Sequence, residues 1–277
     1  MSSVLTRVSK DDCLAYLRLV QEIQPTLDLT DLYRVAQAAV RYYRGDTKQR
    51  SVLVAQQRLE TQWYASLQRG QPDYSVYNHD YFISDLWACW IIYSRKHLLS
   101  LLSSKALPND SRMLRDIFSS YITSVADLGC GFGYTTATLK EMFPLANVYG
   151  TNLIDTLQWR VATLLGQRED FDIVQDVIDR RIDCVFASEF FEHLLDPVAY
   201  LETLITHCAP SIFILANSFS ARSIGHFNEY QYREKRIANT AIGRLFNRVL
   251  RENGYRMLKT RLWNNRPSIW LRSDIAL

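Results

Sequence analysis

The stretch from Val125 to Asn152, VADLGCGFGYTTATLKEMFPLANVYGTN, decides the fold of this 277-residue chain. A short apolar run reaching Asp127 leads into Gly129, Gly131 and Gly133, and a segment of helical period follows from Thr135 to Met142. That order reads as strand, tight turn, helix. Pro144 ends the helix, and Asn147 to Thr151 supplies a second strand. Such a unit closes through a right-handed crossover and implies a parallel sheet. Glycines at alternate positions let backbone pass close beneath a ligand, and the helix N-terminus behind them offers N–H groups. The dinucleotide fingerprint GxGxxG needs glycine at 134, where Tyr134 stands.

What stands instead, Asp127-x-Gly129-x-Gly131-x-Gly133, resembles the first motif of the class I S-adenosylmethionine-dependent methyltransferases. The resemblance implies an α/β fold: a Rossmann-like, doubly wound, mostly parallel seven-stranded sheet with a C-terminal antiparallel hairpin. It also implies S-adenosylmethionine as cofactor. It extends to Arg272 through a helix at Leu157–Leu165, strands at Phe171–Val174 and Asp183–Ala187, a helix at Pro197–His207 and a strand at Ser211–Ala216. A helix at Thr240–Asn253 and two tail strands, Tyr255–Trp263 and Pro267–Arg272, complete it.

Carried over residue by residue, the resemblance puts Asp127 and the three glycines beneath the cofactor. The family's ribose-binding acid is replaced by Asn152, with Asp155 as a substitute if the loop turns back. Asp176, after Gln175, falls where the family contacts adenine; a turn-capping aspartate is the alternative. The element SEFFEHLLDP places Ser188, Glu189, Glu192 and His193 at the carboxyl end of the fourth strand, where open α/β sheets bind ligands. Ser188 is expected at the cofactor and Glu189 as the reactive carboxylate, with Glu192 and His193 packing and capping the next helix. GHFNEY, Gly225–Tyr230, resembles the Gly-His loop that several such enzymes place over the acceptor. There His226 is expected to take a proton from a hydroxyl or amine, or else to be a loop histidine bonded to backbone, with Asn217 and Asn228 facing the acceptor.

Upstream, Asp11–Gln24, Asp31–Arg44, Val52–Leu67 and Tyr81–Leu102 have helical spacing. The division expected is an N-terminal helical lid or accessory region, 1–120, before a methyltransferase domain, 121–277. Tyr77, His79 and Tyr81 are expected over the cofactor mouth, where aromatic rings attract a sulfonium or line an acceptor pocket. Trp87, Trp90 and Ile91 read as core.

Composition sets the remaining bounds. With 48% apolar and 22% charged residues, the chain is of ordinary globular type. Five scattered cysteines, none in a CxxC pair, support neither a disulfide framework nor a zinc knuckle, and no metal centre is expected. The N-terminus lacks a signal-peptide core and no apolar run reaches the ~20 residues of a membrane span, so no membrane partner and a cytoplasmic location are expected. Net charge is +3, but residues 123–210 hold five basic against thirteen acidic groups, and residues 217–277 twelve against four. These arginines are either solvated faces or a surface for phosphate.

The acceptor is therefore expected to be an oxygen or nitrogen on a small molecule. Methylation of a nucleotide or nucleic acid, through the basic C-terminal third and stacking aromatics, is the alternative. A non-catalytic subunit keeping the fold is a third. The Asp/Asn-Pro-Pro-aromatic turn of amino-methylating DNA enzymes and the Pro-Cys of the cytosine C5 class are both absent.

Overall fold

A computed structural model describes residues 10–28, 30, 33, 34, 37, 52–78, 98–104, 112–259 and 267–275. The helical elements are α1 (Lys10–Ile23), α2 (Val52–Gln68), a 3₁₀ turn at Tyr74–Asn78, α3 (Leu114–Phe118), α4 (Tyr134–Met142), α5 (Leu157–Glu169), a 3₁₀ turn at Phe191–His193, α6 (Pro197–His207) and α7 (Asn239–Glu252). The strands are β1 (Ser124–Leu128), β2 (Asn147–Thr151), β3 (Asp172–Val174), β4 (Cys184–Ser188), β5 (Ile212–Ala216), β6 (Glu229–Tyr232), β7 (Lys235–Ala238), β8 (Tyr255–Lys259) and β9 (Ser268–Arg272).

Seven strands form one sheet in the order β3-β2-β1-β4-β5-β9-β8. β1 to β5 run parallel, while β9 pairs antiparallel with both β5 and β8. The C-terminal hairpin thus inserts its second strand against β5. A separate hairpin, β6–β7, stands outside the sheet in a stretch whose sequence reads as loop.

Alternation along the strands supplies both faces of the core. Val125, Cys184, Phe186, Ile212, Ile214, Ile269 and Leu271 face a layer made by α1, α3, α4 and α5. Ala126, Leu128, Val185, Ala187, Phe213, Leu215 and Trp270 face α2, α6 and α7. The N-terminal helices therefore pack directly on the sheet layers: Tyr16 of α1 sits edge-on to Phe132 at 5.4 Å, and Trp63 of α2 donates its Nε1–H to the His226 carbonyl at 2.6 Å.

At the opposite end of the sheet from the glycine turn, one carboxylate ties β1 to β4. Asp183 Oδ2 accepts from Thr123 N (2.8 Å), Thr123 Oγ1 (2.6 Å), Ser124 N (3.1 Å) and Ser124 Oγ (3.2 Å). Burial raises the pKa of this carboxyl, but the bonds outweigh burial and hold it below the usual aspartate range. Cys130, Cys184 and Cys208 are buried free thiols.

Candidate active site

β1, β2, β3 and β4 end together, and the loops after them enclose a cavity of about 460 Å³. That lies within the ~300–1,000 Å³ of ordinary small-molecule sites. Its floor is the turn after β1. Gly129, Gly131 and Gly133 all hold positive φ, at 65°, 56° and 85°. The turn is pinned to β2: Gly129 N donates to Thr151 Oγ1 (3.0 Å), Cys130 N to the Thr151 carbonyl (2.9 Å) and Asn152 Nδ2 to the Gly131 carbonyl (2.5 Å). A side chain built at Gly131 meets no atom within 4 Å, so its missing Cβ leaves cavity space unfilled. This open cradle is the shape a ligand lying against the turn requires. Gly133 N-caps α4 and packs toward Ala162 and Phe171 instead.

Asp127 lies beneath the turn, 1% exposed, accepting from Thr135 Oγ1 (2.6 Å) and Thr136 Oγ1 (2.7 Å) at the start of α4. It clamps strand to helix and does not line the cavity. Burial pushes its carboxyl up to about 7, against the pull of the two hydroxyls. Between the unfolded value of 3.8 and about 7, the folded chain therefore keeps a proton that the unfolded chain releases. Stability falls as pH rises through that window. The isosteric Asp127→Asn variant should remove this slope: between about pH 5 and about pH 8 the wild type should lose Tm relative to the variant. Parallel curves in scanning calorimetry would show that Asp127 does not titrate there.

Asn152 lines the cavity, but its side chain is engaged: Nδ2 holds the glycine turn and Oδ1 accepts from Leu153 N at 2.8 Å. Asp155 is exposed and does not line the cavity. Gln175 and Asp176 line its β3 end, and Asp176 Oδ1 also accepts from Ile178 N (2.6 Å), so it forms the turn as well as facing the space. Ser188 ends β4 with a buried hydroxyl that lacks a hydrogen-bond partner, outside the lining.

On the β4 side the backbone reverses at Glu189, a non-glycine residue with φ 53°. Glu189 N donates to the Ala216 carbonyl (2.8 Å), and its Oε1 accepts from Ser218 Oγ (2.9 Å). The 3₁₀ turn that follows folds Glu192 inward, 0% exposed, where Oε1 accepts from Ser218 N at 2.6 Å. Burial raises the pKa of both carboxyls, and the neighbouring Glu189 charge raises that of Glu192 further. His226 stands behind them, 2% exposed. Its Nδ1 lies 2.9 Å from the Ala221 carbonyl, which can only accept, so Nδ1 carries the proton and Nε2 a lone pair. His226 does not line the cavity.

His193 does, and sequence reasoning gave it only a packing role. Its Nδ1 meets the Tyr77 hydroxyl at 2.6 Å, burial pushes its pKa down to about 3, and the pair lines the cavity beside Tyr74. Gly225 exists for this contact: a Cβ there would come within 1.8 Å of Tyr77 Oη and 2.3 Å of His193 Nδ1. The glycine of GHFNEY thus seats the Tyr77–His193 pair. Thr151, Phe190 and Tyr200 also line the space without having been singled out. The spacing Glu189-x-x-Glu192-His193 straight after a strand was the signal for this side of the site.

Asn217 lines a separate pocket of about 360 Å³ with Ser218, Asn239 and Arg244, its Oδ1 buried without a partner. Asn228 lines a third hollow with Gln231 and Arg236. Neither lines the main cavity. His79, Tyr81, Trp87, Trp90 and Ile91 lie outside the described residues.

The strand order, the terminal hairpin and the opening above the glycine turn define a Rossmann-like methyltransferase fold. Residues 91–260, more than half the chain, match a family described as a methyltransferase domain, and the chain belongs to that family, with S-adenosylmethionine as its cofactor. The match begins inside the region that sequence reading assigned to an accessory unit. Solved structures similar in fold include the mitomycin 7-O-methyltransferase MmcR (12% identity, 78% of this chain and 67% of that one, TM-score 0.47). An O-methyltransferase family protein from Burkholderia thailandensis is similar at 14% identity (86% and 72%, TM-score 0.45), and the sugar N-methyltransferase KedS8 from a Streptoalloteichus species at 16% (58% and 85%, TM-score 0.39). No curated protein matches the sequence.

Proposed function

We propose that this chain transfers a methyl group from S-adenosylmethionine to an oxygen or nitrogen of a small molecule. The observation that carries the reading is the half-open cavity of about 460 Å³ whose lining brings the bare backbone of Gly131 together with Glu189 and His193. Gly129 and Gly131 would lie against the methionine part of the cofactor, Asn152 toward its ribose, and Gln175 with Asp176 at the adenine end. When bound, the cofactor supplies a methyl carbon on an already activated sulfonium. The protein's task is then chiefly alignment. Tyr77 and His193 bound the acceptor side and exclude water, and Glu189, the carboxylate on the cavity wall, is placed to receive an acceptor proton. His226 acts from behind Glu189 and Glu192 rather than on the acceptor directly.

Nucleic acid as acceptor is the less favoured alternative because several C-terminal arginines are engaged within the chain. Arg222 stacks over Tyr64, Arg251 over Trp270, and Arg233 and Arg236 pair with Glu202 and Glu229.

Isothermal titration with S-adenosylmethionine and its demethylated product should each show one site per chain. Heat from neither would favour the non-catalytic reading. Binding of an RNA oligonucleotide that falls steeply with salt would favour the nucleic-acid reading.

A further inference from the structure

We propose that Glu189, Glu192 and His226 form a divalent-cation site, of the kind that takes Mn²⁺ or Mg²⁺, opening onto the cavity. Sequence reading expected no metal centre, from the scattered cysteines; these three residues are split between a turn after β4 and a loop more than thirty positions on. The fold brings them together: each offers one ligand atom, and those atoms all lie within 4.8 Å of one another. A cation at ~2.0–2.2 Å from each ligand needs them roughly 3 to 4.4 Å apart, a contraction that side-chain rotation supplies.

Three independent features point to a ligand. Glu192 is completely buried, and while Oε1 takes the Ser218 N–H, Oε2 meets no N–H or hydroxyl donor, and the carboxyl lies within hydrogen-bonding reach of that of Glu189. Two carboxyls held together in the interior are costly unless a proton or a cation lies between them. His226 has the arrangement of a metal-binding imidazole: the backbone carbonyl of Ala221 fixes Nδ1–H and leaves Nε2 as a lone pair, and Trp63 anchors the same residue's main chain. Glu189 is held in a left-handed conformation by its bonds to Ala216 and Ser218, the kind of local strain that clusters at functional sites.

Two carboxylates and one imidazole suit a hard or borderline divalent ion, and three protein ligands leave an octahedral ion with open positions. Because Glu189 lines the cavity, those positions face it. They take oxygen ligands, water in the free protein and a hydroxyl of the acceptor when one is present. That last point rests on the methyl-transfer reading, and would make the acceptor an alcohol or phenol; the cation site itself does not depend on it.

The test is titration of EDTA-dialysed full-length protein with Mn²⁺, followed by the paramagnetic resonance of the free ion, with calorimetry of S-adenosylhomocysteine on the same samples. The expected result is one Mn²⁺ per chain, displaced by Mg²⁺ and weakened at least tenfold in both Glu192→Gln and His226→Asn. S-Adenosylhomocysteine binding should stay within twofold in both variants. In the wild type, bound Mn²⁺ should broaden the imidazole resonance of His226 ahead of that of His207, which ends α6. This measurement stands even where a variant fails to fold. No saturable site, equal Mn²⁺ affinity in folded variants, or Mn²⁺ that leaves His226 sharp overturns the proposal. Absence of S-adenosylhomocysteine binding with Mn²⁺ binding intact would instead count against the methyltransferase reading alone.

Discussion

Gly131→Val should abolish S-adenosylmethionine binding, with a loss of at least a hundredfold measured by calorimetry. A Cβ placed ideally at Gly131 meets no atom within 4 Å, and the residue lines the cavity. A valine there projects two methyl groups where a ligand would pass against backbone. It also places a β-branched residue at φ 56°, which costs on the order of 1–3 kcal/mol of stability. Gly131→Ala separates the two effects, since alanine carries most of the backbone strain with far less bulk. Its melting temperature should resemble that of the valine variant, while its affinity falls much less. A valine variant that folds and binds the cofactor within threefold of wild type would remove this cavity from the cofactor role.

The second large effect is on stability. Asp183→Ala leaves the main-chain N–H groups of Thr123 and Ser124 without the carboxylate that now accepts from both, and frees two hydroxyls at the junction of β1 and β4. Each stranded donor costs about 1–3 kcal/mol, so a total near 4 kcal/mol is expected. For a chain of this size that lowers Tm by roughly 10 °C. Because the folded carboxyl sits below its unfolded pKa, this stabilisation is present at neutral pH and is lost as pH falls through the acidic range. Wild type and variant should therefore converge in acid. A constant gap in Tm down to about pH 3 would assign the loss to packing instead.

The two variants probe opposite ends of the same sheet, and they differ in how readily the sequence reveals them. Gly131 is conspicuous because alternating glycines after an apolar run have few uses other than a tight turn beneath something. Asp183 is not, because nothing local distinguishes a carboxylate that caps two strands from one in solvent. Asn217 and Asn228 show the same limit: their positions after β5 and in the 225–230 loop are as expected, yet their side chains line other hollows. His193 shows the converse, since Gly225 and Tyr77 turn a residue that reads as helix-capping into part of the cavity wall.

Order along the chain was legible wherever the signal was local. β2 and α6 have the bounds that hydrophobic period, Pro144 and Pro197 imply, because period and proline act within a few residues. The glycine turn and the parallel sheet follow from the same short-range chemistry. Tertiary structure decided which of several polar side chains share a space. Glu189, Glu192 and His226 converge because a left-handed residue ends β4 and Trp63, 163 positions before His226, holds the loop in place. No pattern in sequence encodes that contact, since it depends on how α2 and the loops after β4 and β5 pack together on one face of the sheet.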